Sequence, residues 1–222
     1  MPHFETHKAM LSLNVIGLTP SAIARFRDVM ELAERPTRTD AVLFSDRAAK
    51  TFLEAASAEY SFITEDEPRP CFAVLLGHRA GTEAVVSEVA FGRNARLTDP
   101  SAREEFASTI VPRFGTAYEN PVRAWWLDPA DLLTITRAAD ARGLDVLGSI
   151  HLHPDWHRLG PECERDRPLS DHPTPMDEHM FRNSGWPVNV VCYLERRHGG
   201  LYYSLAAWDA ECLRLPLRMN HS

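Results

Sequence analysis

The segment Gly148–Pro154, with the sequence Gly-Ser-Ile-His-Leu-His-Pro, constrains the fold and chemistry of this chain more than any other. An apolar run beginning at Val146 indicates a buried strand that carries two histidines near its end. Side chains at i and i+2 of a strand point to the same face, so His151 and His153 can direct two imidazole nitrogens at one point. Packing of a buried strand does not require imidazoles at these two positions. The pair therefore predicts two ligands of a metal ion.

A second motif, Pro173-Thr-Pro-Met-Asp177, offers a third ligand. Two histidines and the Asp177 carboxylate leave the fourth position of a tetrahedral zinc ion to water, and this open position distinguishes catalytic zinc sites from closed structural ones. The pattern predicts a hydrolytic zinc centre formed by His151, His153 and Asp177. The alternative is a pair of strand histidines that bind no metal.

These motifs and the segments around them resemble the JAMM (MPN-type, Mov34/JAB-like) zinc metalloproteases. The resemblance starts at Trp126-Leu-Asp-Pro-Ala-Asp-Leu-Leu133, continues through a helix to the two histidines and covers most of that family's core. The family pattern is an upstream glutamate, then His-x-His-Pro, then Ser-x-x-Asp, and Thr174 stands here in place of the serine. The resemblance implies an α/β (α+β) fold, a cytidine-deaminase-like mixed β-sheet flanked by helices. It also implies that the Thr174 hydroxyl stabilises the oxyanion.

The catalytic glutamate is where the sequence departs from the family pattern. Alignment on Gly77 places Pro70 at the glutamate position. The run Glu65-Asp-Glu-Pro-Arg-Pro70 offers Glu67 three residues earlier, and its two prolines interrupt a strand ladder enough for a bulge to turn this side chain toward the metal-bound water. Glu67 is therefore the predicted general base.

Two other glutamates are alternatives for the base. Glu65 lies in the same acidic run, and folding the following hairpin about residue 80 would set Glu88 opposite Phe72. The remaining interpretation is that residues 65–67 form a solvated acidic turn without a catalytic role.

The interval from His153 to Asp177 spans 24 positions, more than twice what the resemblance implies. The charged, proline-punctuated segment 155–171 is predicted to be a loop beside the metal that acts as a lid or grips the substrate. His157 and His172 are expected to lie outside the coordination sphere, since another protein ligand would close the position that water needs. Cys163 is expected to be a free thiol, because the four cysteines form no Cys-x-x-Cys pair.

Composition narrows the functional classes. A chain of 222 residues with 44% hydrophobic content can bury one substantial core, and its net charge of −7 argues against nucleic acid as a partner. No apolar run reaches the length of a membrane span, and the polar N-terminus lacks the order of a signal peptide, so a cytoplasmic location is expected.

The chain is predicted to consist of an N-terminal extension, residues 1–39, and a JAMM/MPN-like metallohydrolase domain, residues 40–222. The extension is expected to contain a strand over 11–16 and a helix over 19–33. In the domain, the expected strands cover 41–44, 71–77, 84–91, 146–154, 188–194 and 201–208. Ser45 is the expected N-cap of a helix that extends to Ala58, and the other expected helices begin at Ser101, Asp128 and Asp177.

The resemblance implies a zinc-dependent metallopeptidase or isopeptidase that hydrolyses an amide bond at the C-terminal tail of a ubiquitin-like or sulfur-carrier protein. Two alternatives belong to other classes: an inactive MPN-type binding scaffold, and a zinc hydrolase of a small-molecule amide in a biosynthetic pathway. An extended groove at the metal would favour a protein tail, and an enclosed pocket a small molecule. The sequence does not determine the oligomeric state.

Overall fold

The structure is a computed structural model that describes residues 38–155, 159, 173–197 and 199–220. The strand and helix expected in the N-terminal extension lie outside the described residues. The same holds for His157, Cys163 and His172, and for nearly all of the predicted loop.

The described part of the chain forms one mixed β-sheet with helices on both faces. The strands are β1 (Ala41–Ser45), β2 (Phe72–Ala80), β3 (Glu83–Ala90), β4 (Asp145–Pro154), β5 (Val188–Arg197), β6 (Gly200–Trp208), β7 (Arg214–Leu215) and β8 (Leu217–Asn220). Their order across the sheet is β7-β6-β5-β4-β2-β3-β1-β8. The pairs β4–β5, β1–β3 and β1–β8 are parallel, and the remaining neighbours are antiparallel. The predicted fold class, a mixed sheet flanked by helices, is confirmed.

Capping side chains mark the start of four of the five described α-helices. The α-helices are α1 (Asp46–Tyr60), α2 (Pro100–Glu105), α3 (Val111–Phe114), α4 (Pro129–Asp140) and α5 (Pro175–Ser184), and a π-helical segment (Phe106–Ile110) joins α2 to α3. Ser45 caps α1 by accepting from the Ala48 N–H, as its position before the helix predicts. The described helices include none that is long and apolar enough to cross a membrane.

The hairpin of β2 and β3 differs from the prediction. Its turn contains only Gly81 and Thr82, because Gly81 adopts the left-handed conformation (φ 63°) that a tight turn requires. This turn, with a bulge at Leu76/Gly77, places Glu88 opposite Leu76. The expectation that Glu88 lies opposite Phe72 is therefore wrong.

Strand alternation assigns the histidines of β4 to one face of the sheet. Ile150 and Leu152 pack with Phe52 of α1 in the largest apolar cluster. His151 points to the opposite face, where its ring lies 5.8 Å from that of Trp125. Burial of a large apolar side chain such as Phe52 contributes about 1.5–3 kcal/mol relative to leaving it exposed, so this packing holds β4 firmly in place.

Candidate metal centre

Three buried side chains converge where β4 ends and α5 begins. His151 Nε2 lies 3.1 Å from His153 Nε2 and 3.0 Å from Asp177 Oδ1, and His153 Nε2 lies 3.4 Å from Asp177 Oδ2. Ligands about 2.0–2.1 Å from a tetrahedral zinc ion are about 3.3 Å apart, which matches these separations. Two imidazoles and a carboxylate are also donors that zinc prefers. The group formed by His151, His153 and Asp177 can therefore bind a metal ion.

The N-terminus of α5 orients the carboxylate. Thr174 caps the helix, and its backbone N–H and hydroxyl both donate to Asp177 Oδ2 at 2.8 Å. The Asp177 N–H donates in return to Thr174 Oγ1 at 3.1 Å, which completes a capping box. The positive end of the helix dipole further favours a carboxylate here. Because of this cap, α5 begins at Pro175 and not at Asp177 as predicted.

Electrostatics favour the protonation states that a metal ion requires. Burial lowers the pKa of His153, although Asp177 opposes the effect. Burial alone would raise the pKa of Asp177, but His153 and His151 outweigh it and hold that pKa well below its usual range. A neutral His153 and an ionised Asp177 at neutral pH are the ligand forms of these residues.

The three candidate ligands line a cavity of about 60 Å³, enough for a few water molecules. We call it the metal-site cavity. Arg69, Arg123 and Trp125 form part of its wall. Trp125 is held by stacking on Phe72, with ring centroids 4.9 Å apart. The cavity thus combines a buried donor set with cationic and aromatic side chains.

The structure does not bring the predicted base to the three ligands. The Glu67 side chain is 57% exposed and accepts a hydrogen bond from Arg69 Nη2 at 3.0 Å. The next three residues, Pro68 to Pro70, do line the metal-site cavity. Among the described residues of its lining, Asp177 is the only carboxylate.

The two alternative glutamates also lie away from the ligands. Glu65 is exposed and does not line the metal-site cavity. The Glu88 carboxylate accepts a hydrogen bond from Arg142. Glu88 pairs with Leu76, which lies four residues along β2 from Phe72, the residue that pairs with His151.

Asp155, directly after the His-x-His-Pro motif, anchors the end of β4. Its carboxylate accepts from the Tyr60 hydroxyl at 2.7 Å and from the Arg196 N–H at 2.9 Å, and its N–H donates to Leu194 O at 2.8 Å. Asp155 adopts a positive φ of 36°, which non-glycine residues seldom do. Sequence reasoning did not identify this role, nor the positions of Arg123 and Trp125. The signals present were an aspartate after Pro154 and a tyrosine at the end of α1.

Comparisons with known proteins add likenesses at the level of structure. No protein-family model and no curated protein matches the sequence. A protein from Desulfitobacterium hafniense, known from its solution structure, has a TM-score of 0.48 at 14% identity, over 82% of this chain and 94% of that one. A JAB1/MPN domain protein from Archaeoglobus fulgidus has a TM-score of 0.38 at 14% identity, over 82% of this chain and 98% of that one.

Proposed function

We propose that this protein is a zinc-dependent metallohydrolase that cleaves an amide bond at the C-terminal tail of a ubiquitin-like or sulfur-carrier protein. The observation that carries the proposal is the convergence of His151, His153 and Asp177 on one point of a shared cavity. Three protein ligands beside a cavity with room for water are the composition of a catalytic zinc site, whereas a structural site is closed by four.

Each residue has a defined part in this proposal. A bound zinc ion would supply Lewis-acid activation of water and of the amide carbonyl. His151, His153 and Asp177 would hold it, and Thr174 would orient the Asp177 carboxylate. The guanidinium group of Arg123 would orient the carbonyl oxygens of the tail, because it gives the cavity wall a positive charge.

Glu67 remains the proposed general base. One of its carboxylate oxygens would accept a proton from water and pass it to the leaving amine. To do so, the Glu67 side chain must leave Arg69 and turn past Pro68 into the metal-site cavity. The exposed pair of Glu67 and Arg69 is worth about 0–1 kcal/mol, so the loss of this pair costs little.

A second candidate function is a metal-binding scaffold without hydrolytic activity. The observation that favours it is the exposed position of Glu67, together with the lack of a glutamate among the described residues of the cavity lining. Such a domain would bind zinc and a protein tail but would leave the amide bond intact.

Cleavage of C-terminally extended carrier proteins tests the two candidates. Ubiquitin and a bacterial sulfur-carrier protein, each extended by a short peptide, would be incubated with the zinc-loaded protein and with its His153→Ala variant. The proposal predicts cleavage at the carrier's C-terminus that requires zinc and is lost in the variant. Binding of a carrier to the zinc-loaded protein without any cleavage would instead establish the scaffold.

A further inference from the structure

A second and larger cavity lies beside the metal site and has no part in the proposed hydrolysis. Its volume is about 490 Å³, within the range of about 300–1,000 Å³ typical of small-molecule sites. Trp125 and Met180 line both this cavity and the metal-site cavity. A group bound in the larger cavity would therefore lie one side chain away from the metal ligands.

The walls of this cavity are aromatic and its rim is acidic. Trp125, Trp126 and Trp186 form the walls, and we name it the aromatic cavity after them. Asp99, the N-cap residue of α2, and Glu105, the last residue of that helix, also line the cavity. Its described lining contains no arginine, lysine or histidine, so nothing within that lining balances the two carboxylates.

The floor adds a buried hydrogen-bond acceptor. Ser149 and Asn189 are only 2% and 1% exposed, and both face the cavity. The Ser149 hydroxyl donates its hydrogen toward Asn189 Oδ1 at 3.4 Å, which leaves the lone pairs of Ser149 Oγ to accept from an N–H group. Aromatic faces and carboxylates both attract cations, and an acceptor at the floor completes a site for a positively charged N–H donor.

We propose that the aromatic cavity binds an organic cation, a guanidinium or ammonium group carried on an apolar stem. Two sources share this chemistry: a basic side chain of the substrate close to the cleaved amide bond, and a free small-molecule amine. Binding of the cation is independent of the proposed hydrolysis, and only its use as a substrate subsite rests on that function.

A pair of matched ligands tests the charge requirement. N-acetyl-arginine amide and its neutral near-isostere N-acetyl-citrulline amide would be titrated into the zinc-loaded full chain, with binding followed by calorimetry and by tryptophan fluorescence. The arginine compound should bind at least about tenfold more tightly, because only the cation is attracted by the carboxylates and the aromatic faces. Equal affinities for the two compounds would overturn the proposal.

Charge-neutralising variants test which residues are responsible. The double variant Asp99→Asn with Glu105→Gln should lose the preference for arginine over citrulline, and asparagine can still cap α2 as Asp99 does. The control is Glu104→Gln, which removes one negative charge from an exposed position of α2 outside the cavity lining. Thermal melting would establish that all variants fold. An unchanged preference in the folded double variant would also refute the proposal.

Substrate tails distinguish the two sources of the cation. Tails with arginine or citrulline next to the cleaved bond would be compared by kcat/KM. A preference of about tenfold for arginine that the double variant loses assigns a substrate subsite. Binding of the cation without such a preference assigns a free amine. A protein that binds the arginine compound but cleaves no amide refutes the proposed hydrolysis alone, whereas hydrolysis without charge-selective binding refutes the aromatic cavity as a cation site.

Discussion

Thr174 donates two hydrogen bonds to a single oxygen of Asp177, one from its backbone N–H and one from its hydroxyl, each 2.8 Å long. A hydroxyl group has one hydrogen to donate, and this one is directed at the carboxylate. The structure therefore gives Thr174 a function that the sequence resemblance does not imply, which is to orient a candidate metal ligand.

Replacement of Thr174 separates this orienting function from oxyanion stabilisation. Thr174→Val should weaken zinc binding by about 10- to 100-fold, as loss of a hydrogen bond to a metal ligand usually does, whereas Thr174→Ser should keep the parent affinity. Competition with a chromophoric chelator measures both. If Thr174→Val binds zinc like the parent and only kcat falls at saturating zinc, the hydroxyl acts on the reacting carbonyl.

The predicted base is tested by a change that removes its charge but keeps its shape. Glu67→Gln should retain zinc and lower amide hydrolysis by about 10²-fold or more, because glutamine cannot accept the proton. Matched variants are Glu65→Gln and Glu88→Gln, which should keep the parent turnover. Full activity of Glu67→Gln would remove this residue from the mechanism, and an inactive Glu65→Gln would transfer the function to Glu65.

The contact between Tyr60 and Asp155 predicts a pH dependence of stability. Burial and the hydrogen bond to Asp155 raise the pKa of Tyr60 above its ordinary value. An unfolded tyrosine has a pKa of about 10. Because the pKa of Tyr60 is higher in the folded state, its contribution to the free energy of unfolding is fully present below about pH 10 and is lost as the pH rises through the folded-state pKa. The free energy of unfolding should therefore fall above about pH 10.

Tyr60→Phe provides the test of this contribution. At pH 7 the variant should be less stable by about 1–3 kcal/mol, because Asp155 Oδ2 loses a buried donor, and its stability should decline less in alkali than that of the parent. Urea denaturation at neutral and alkaline pH gives both quantities. Tyr202→Phe, at a residue that is 56% exposed, is the control and should change neither.

The parts of the site that follow local rules could be predicted from the sequence. Strand alternation alone places His151 and His153 on one face of β4, and the structure confirms it. The convergence of Asp177, 24 positions after His153, on the two histidines needed the family resemblance, because no periodicity extends across such an interval. Its capping box with Thr174 is again a local signal, an aspartate three residues after a threonine.

Features that depend on turn length or on distant packing could not be predicted. The predicted pairing of Glu88 with Phe72 was wrong because a two-residue turn and a bulge shift the register of the hairpin by several positions. Neither the turn nor the bulge leaves a clear pattern in composition. The contact of Tyr60 with Asp155 joins residues 95 positions apart. The aromatic cavity arises only once α2 and the strand floor pack around Trp125 and Trp126.

Zinc content tests the central claim most directly. After reconstitution with zinc at neutral pH and removal of excess metal, elemental analysis should find about one zinc per chain. The variants His151→Ala, His153→Ala and Asp177→Ala should each lose most of this zinc, because a three-ligand site binds the metal weakly once one ligand is removed. His78→Ala, which removes an exposed histidine of β2, should retain the parent content. A parent protein holding less than about a tenth of an equivalent, or ligand variants with as much zinc as the His78→Ala control, would contradict the assignment of a metal centre.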